Sequence, residues 1–65
     1  MPPLRMRPEE MVTMILAFME REGRDPTRHD FESQRNGLPS RKVVDRAFRQ
    51  WQHAVEAAHK EGSWP

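Results

Sequence analysis

Three histidines, His29, His53 and His59, and three serines, Ser33, Ser40 and Ser63, are the side chains from which a nucleophile and a base could be assembled. Nothing around them resembles a nucleophile elbow, and Ser40, directly after Pro39, is better explained as a helix cap. His53 and His59 stand six positions apart, about 120° around a helix, which is not a metal-ligand spacing. The chain has no cysteine, so a thiolate metal site and a disulfide are both excluded. It also has no Gly-rich, phosphate-cradling loop. These residues predict no catalytic centre, no metal, no cofactor and no small-molecule substrate. The chemistry that remains is electrostatic. Lys42, Arg46, Arg49 and His53 follow one another at helical spacing, with Lys60 further along. Between Arg35 and Arg49 five basic residues (Arg35, Arg41, Lys42, Arg46, Arg49) face Asp45 alone, a local charge of +4 in a chain whose total is +1. The acid lies elsewhere, in Glu9, Glu10, Glu20, Glu22 and Glu32. Such segregation is the footprint of a surface that meets phosphates, although any solvated helix also needs a charged outer side.

Three helical stretches would have to position this stripe. Pro8 suits the first turn of a helix because its missing N–H would be unpaired there, and Glu9 and Glu10 suit its positive end. This first helix should run to about Glu22, with Gly23 ending it. Its apolar residues, Met11, Val12, Met14, Ile15, Leu16, Phe18 and Met19, span an arc of roughly 200°, wider than one core contact requires. Either other segments wrap it on two sides, or Met11, Met14 and Phe18 meet a protein partner. The second helix begins at Thr27, after Pro26, with the Thr27 hydroxyl capping the Asp30 amide and the Asp30 carboxylate answering toward the Thr27 amide. Phe31 is its one large apolar anchor, and it should end near Gln34 or Arg35. Asn36-Gly37 makes the turn and Leu38 packs it. The third helix starts at Ser40. Val43, Val44, Ala47, Phe48, Trp51, Ala54, Val55 and Ala58 keep one phase within roughly 140°, with no Gly or Pro before Glu61, which predicts one long helix or two nearly collinear ones. Trp51 and Phe48 are expected to be its largest core contributions.

The fold class expected is therefore all-α, a small three-helix domain with a helix-turn-helix and a long C-terminal helix. Residues 1–7 form an N-terminal arm, 8–62 one helical domain and 63–65 a tail. A chain of 65 residues buries only about 60% of its unfolded surface, so a dimer or a partner would supplement its stability. Met11 to Met19 is about half of what a bilayer span needs, and no cationic leader introduces it, so a cytoplasmic protein without membrane contact is expected.

Gly23-x-x-Pro26-Thr27, Leu38-Pro39-Ser40, Val43-Val44 and Phe48-x-x-Trp51-x-x-Ala54-x-x-Ala57-Ala58 together resemble the homing endonuclease-associated repeat, a small helical module found beside HNH nuclease domains and thought to hold the enzyme on its DNA. The resemblance covers about Ile15 to Gly62. It implies that Pro26-Thr27 and Pro39-Ser40 open the two helices of the motif, that Phe31 takes the aromatic position, and that Val44, Phe48, Trp51, Ala54 and Ala58 form the core. The family usually has Phe-Gly-Ser-Trp where this chain has Phe48-Arg49-Gln50-Trp51; losing that Gly removes a bend between two helices, in agreement with the unbroken phase. These 65 residues have neither room for an HNH core nor its histidine cluster, so the resemblance implies the binding module alone.

A helix-turn-helix places the N-terminal half of its second helix in the major groove. Arg41, Lys42, Asp45 and Arg46 would then lie nearest base edges and Arg49 nearer the backbone, with Arg28, Arg35 and the amides beginning at Ser40 on phosphate. The expected partner is double-stranded DNA, in a phage or mobile-element setting. The rival reading is a small adaptor or inhibitor that binds a protein through Met11, Met14 and Phe18. A homodimer through the first helix would reconcile the two.

Overall fold

The structure, a computed structural model, describes residues 7–33 and 36–62. The N-terminal arm before Arg7, Gln34, Arg35 and the tail at 63–65 lie outside the described residues. The elements are four helices in the order α1 (Pro8–Glu22), α2 (Arg28–Ser33), α3 (Arg41–Phe48) and α4 (Trp51–Glu61), with no strand among the described residues. The all-α class is as the periodicity predicts. The number of helices is one more.

Local chemistry sets the ends of α1. Pro8 sits in its first turn beside Glu9 and Glu10, and Gly23 closes it in the left-handed region (φ 71°), donating its N–H to the Met19 carbonyl at 2.7 Å. A side chain at Gly23 would have to adopt that same backbone, which glycine does at least cost. The start of α2 is the reciprocal cap that the sequence predicts. The Thr27 N–H donates to Asp30 Oδ2 at 2.7 Å, and the Asp30 N–H reaches the Thr27 hydroxyl at 3.4 Å. Ser40 caps α3, its hydroxyl accepting from the Val43 N–H at 3.4 Å.

The expected long helix is broken. Arg49 lies at φ 72°, ψ −42°, and Gln50 is extended at φ −140°, ψ 142°, so α3 ends at Phe48 and α4 begins afresh at Trp51. The His53 ring nitrogen Nδ1 meets the Phe48 carbonyl at 3.0 Å, engaging a group that the break leaves without its helical partner. The reason for the break is tertiary. A straight rod from Ser40 to Glu61 would be about 30 Å long and would carry one end away from α1. With the bend, Val44 on α3 and Ala54, Val55 and Ala58 on α4 all enter one core with α1.

That core contains Met11, Ile15, Phe18, Met19, Phe31, Leu38, Val44, Ala54, Val55 and Ala58. α1 packs chiefly along α4 and also touches α3, while α2 packs on α3. Ala54 and Ala58 are fully buried, and their small side chains let α4 lie close against α1. Phe18 and Phe31 are the largest side chains in the fully buried set. Trp51 and Phe48, expected to dominate, only flank the core; Trp51 tilts against Phe31 with ring centroids 5.6 Å apart. Val43 and Ala47, also assigned to the hidden side, are exposed, because once the helix bends the outer part of that arc no longer meets α1.

Candidate nucleic-acid interface

Each described basic side chain around the turn is either committed to the fold or open to solvent. Arg24 and Asp30 form the most tightly held pair. Arg24 Nη1 donates to Asp30 Oδ2 at 2.7 Å and Nη2 to Oδ1 at 3.3 Å, and the same carboxylate accepts from the Thr27 hydroxyl at 3.0 Å. Asp30 is 8% exposed, the one charged residue in the buried set. The Arg24 hydrogen bond, then those from the Thr27 amide and hydroxyl, hold its carboxyl well below the usual carboxylate range against the opposing effect of burial. Asp30 in turn raises the Arg24 guanidinium. Arg24 and Arg21 both lie over the Phe18 ring, at 5.2 and 5.6 Å from its centroid. Arg21 Nη2 donates to the Asn36 carbonyl at 2.7 Å, which ties the end of α1 to the turn before α3. His59 Nε2 and Asp25 Oδ1, 2.8 Å apart, join α4 to the α1–α2 connection.

These contacts fix the platform from which α3 projects. Gly37 makes the turn at φ 77°, where an L side chain would be strained, and Leu38 and Pro39 are buried beneath it. α2, the turn and α3 therefore follow one another as the expected helix, turn and helix.

The structure separates the expected contact residues into groups. Lys42, Arg46 and Arg49 are exposed and form no ion pair among the described residues. Lys42 and Arg46, four apart, share the outer side of α3, and Arg49 follows at its end. Arg28 and Arg41 both reach Glu32 Oε2, each at 3.3 Å. Such exposed pairs contribute about 0–1 kcal/mol and exchange readily for another anion. Ser40 uses its hydroxyl as the cap. Asp45 is half-buried, with Oδ1 turned away from solvent and no hydrogen-bond partner among the described residues, so that oxygen does not face outward with Lys42 and Arg46. Arg35 lies outside the described residues. His53, placed by spacing on the same stripe, instead engages the Phe48 carbonyl across the break.

Of the two explanations open for the wide apolar arc of α1, the structure shows packing on two sides. Met11 and Phe18 are each 2% exposed and belong to the core, and Met14 is half-buried. The wide apolar arc is accounted for by packing on two sides, against α4 and α3. Sequence reasoning also missed Arg24 and Arg21 as the fasteners of the turn. The Thr27-x-x-Asp30 pattern pointed to Asp30 as an acceptor, but nothing local shows which cation reaches it.

Among the described residues, four short helices around one core, with a capped pair of helices presenting cations that form no ion pair, define a small all-α module. The profile of the homing endonuclease associated repeat matches residues 6–59, and the chain belongs to that family. No curated protein and no solved structure matches the chain significantly. No helix among the described residues is long and apolar enough to cross a membrane.

Proposed function

We propose that this chain is a non-catalytic DNA-binding module that lays the outer side of α3 on duplex DNA. The observation that carries this reading is the division among its cations. Arg21, Arg24, Arg28 and Arg41 are engaged by acceptors of the fold, whereas Lys42 and Arg46 on the outer side of α3 and Arg49 just past its end are exposed without an acidic partner among the described residues. Membership of a family named for its association with homing endonucleases supports the same partner. Lys42 and Arg46 would lie nearest base edges, and Arg49 would meet the backbone. Arg28 and Arg41 would exchange Glu32 for phosphate on binding.

Titration of short duplexes at two salt concentrations, with molecular mass measured alongside, tests this directly. Three phosphate-neutralising cations give a slope of log K against log salt of roughly −2.7, or about a forty-fold loss between 50 and 200 mM. Arg49→Ala should flatten the slope by about 0.9 on every sequence. Arg46→Ala should cost about 1–3 kcal/mol on a preferred site and relax the choice at one base pair. Binding that ignores salt, or equal losses for Arg46→Ala on all duplexes, would remove the respective role.

A further inference from the structure

Val43 is 40% exposed, the one large hydrophobic side chain left open among the described residues. Local propensity does not account for it. Its neighbour Val44 is fully buried and supplies the contact of α3 with the core, while a β-branched residue on the solvent side of a helix loses side-chain freedom for no local gain. Its surroundings are specific. Lys42 precedes it, Arg46 stands three positions on and the exposed Ala47 four positions on, so Val43 and Ala47 form a small apolar strip along the cationic side of α3. Ser40 caps the Val43 amide itself, which fixes this residue in the first turn of the helix.

We propose that Val43, with Ala47 beside it, is a specificity-determining contact that receives the 5-methyl group of a thymine in the major groove while Lys42 and Arg46 engage the flanking polar edges and phosphates. This assignment rests on the DNA-binding reading above. Lys42 and Arg46 line the strip along its outer side, while Val44 enters the core on the other, and an apolar protein surface has no need of those cations beside it. A duplex meets both demands, because the thymine methyl is the apolar group displayed at the base edges of the major groove, among acceptors and close to phosphate.

The experiment begins with selection of a preferred site from a randomised duplex pool. Each thymine of that site is then replaced singly by deoxyuridine, which removes the methyl and leaves the base-pairing edge intact. The wild-type chain should lose roughly four-fold in affinity at one position, the value of one buried methyl group. Val43→Ala, at an exposed helical position, should fold with a thermal midpoint equal to or slightly above the wild type, keep the salt slope, and bind the thymine and uracil duplexes about equally. Salt-sensitive binding with no thymine–uracil difference at any position would overturn the Val43 assignment and leave the DNA-binding reading standing. Absence of salt-sensitive binding would overturn both. A change in molecular mass on Val43→Ala, without any uracil effect, would overturn the assignment in favour of a contact between protein chains.

Discussion

Arg49→Gly should make the protein more stable while weakening its hold on DNA, and the two effects have separate origins. At φ 72° and ψ −42° Arg49 is the one non-glycine residue with positive φ among the described residues. A side chain in such a region costs about 1–3 kcal/mol. Its guanidinium forms no ion pair among the described residues, so no ion pair there offsets that cost. Glycine removes the strain but adds about 0.5–1 kcal/mol of backbone entropy to be lost on folding, leaving a net gain of about 1 kcal/mol. In a domain of this size that raises the thermal midpoint by about 4–8 °C. Arg49→Ala is the control, because it deletes the charge and keeps the Cβ. It should melt near the wild type, and both variants should lose the same share of salt-dependent DNA affinity. Melting curves followed by circular dichroism distinguish two backbones. If α3 and α4 were one continuous helix, glycine at position 49 would sit in a helix interior and lower stability by about 1 kcal/mol. A lower midpoint for Arg49→Gly than for Arg49→Ala would therefore refute the break and the strain together.

Asp30→Ala removes the carboxylate half of the α2 cap and the partner of Arg24 in one step, and should cost about 2 kcal/mol in a denaturant titration; a loss under about 0.5 kcal/mol would show that Arg24 and Thr27 hold the turn without it. Because the folded protein keeps the Asp30 carboxyl well below its ordinary value of 3.8, this contribution is complete above that pH and is lost as the pH falls below it toward the folded value. The midpoint of Asp30→Asn should accordingly decline less between pH 5 and pH 2, roughly the window over which a paired carboxylate titrates, than that of the wild type. Phe31→Ala should cost about 3–5 kcal/mol and leave the domain largely unfolded, whereas Trp51→Ala, at a half-buried ring, should cost about 2 kcal/mol. The reverse order would place the centre of the core at Trp51.

Much of the fold is legible where a single residue type satisfies a local backbone need. Pro8 and Gly23 bracket α1 at its actual ends, and Thr27 and Asp30 mark the start of α2 down to the individual hydrogen bonds. Asn36-Gly37 marks the turn, with Gly37 at positive φ. The break at Arg49 carries no such mark, because the residue there is one that would ordinarily continue a helix. Periodicity also hides it. Val44 on α3 and Ala54, Val55 and Ala58 on α4 face the same core, so their spacing passes for one helix even though two residues between them are not helical.

Taken alone, the sequence determines an all-helical chain, the caps of its first three helices and a cationic segment beginning near the turn, since each follows from residue type and short-range spacing. Only the tertiary structure decides that the last segment breaks into two helices, that Met11 and Phe18 are hidden while Val43 is open, and that, among the described residues, Arg24, Arg28 and Arg41 are paired while Lys42, Arg46 and Arg49 are not. Burial and ion pairing depend on where separate helices come to rest against one another. Helical phase along a single segment does not contain that information.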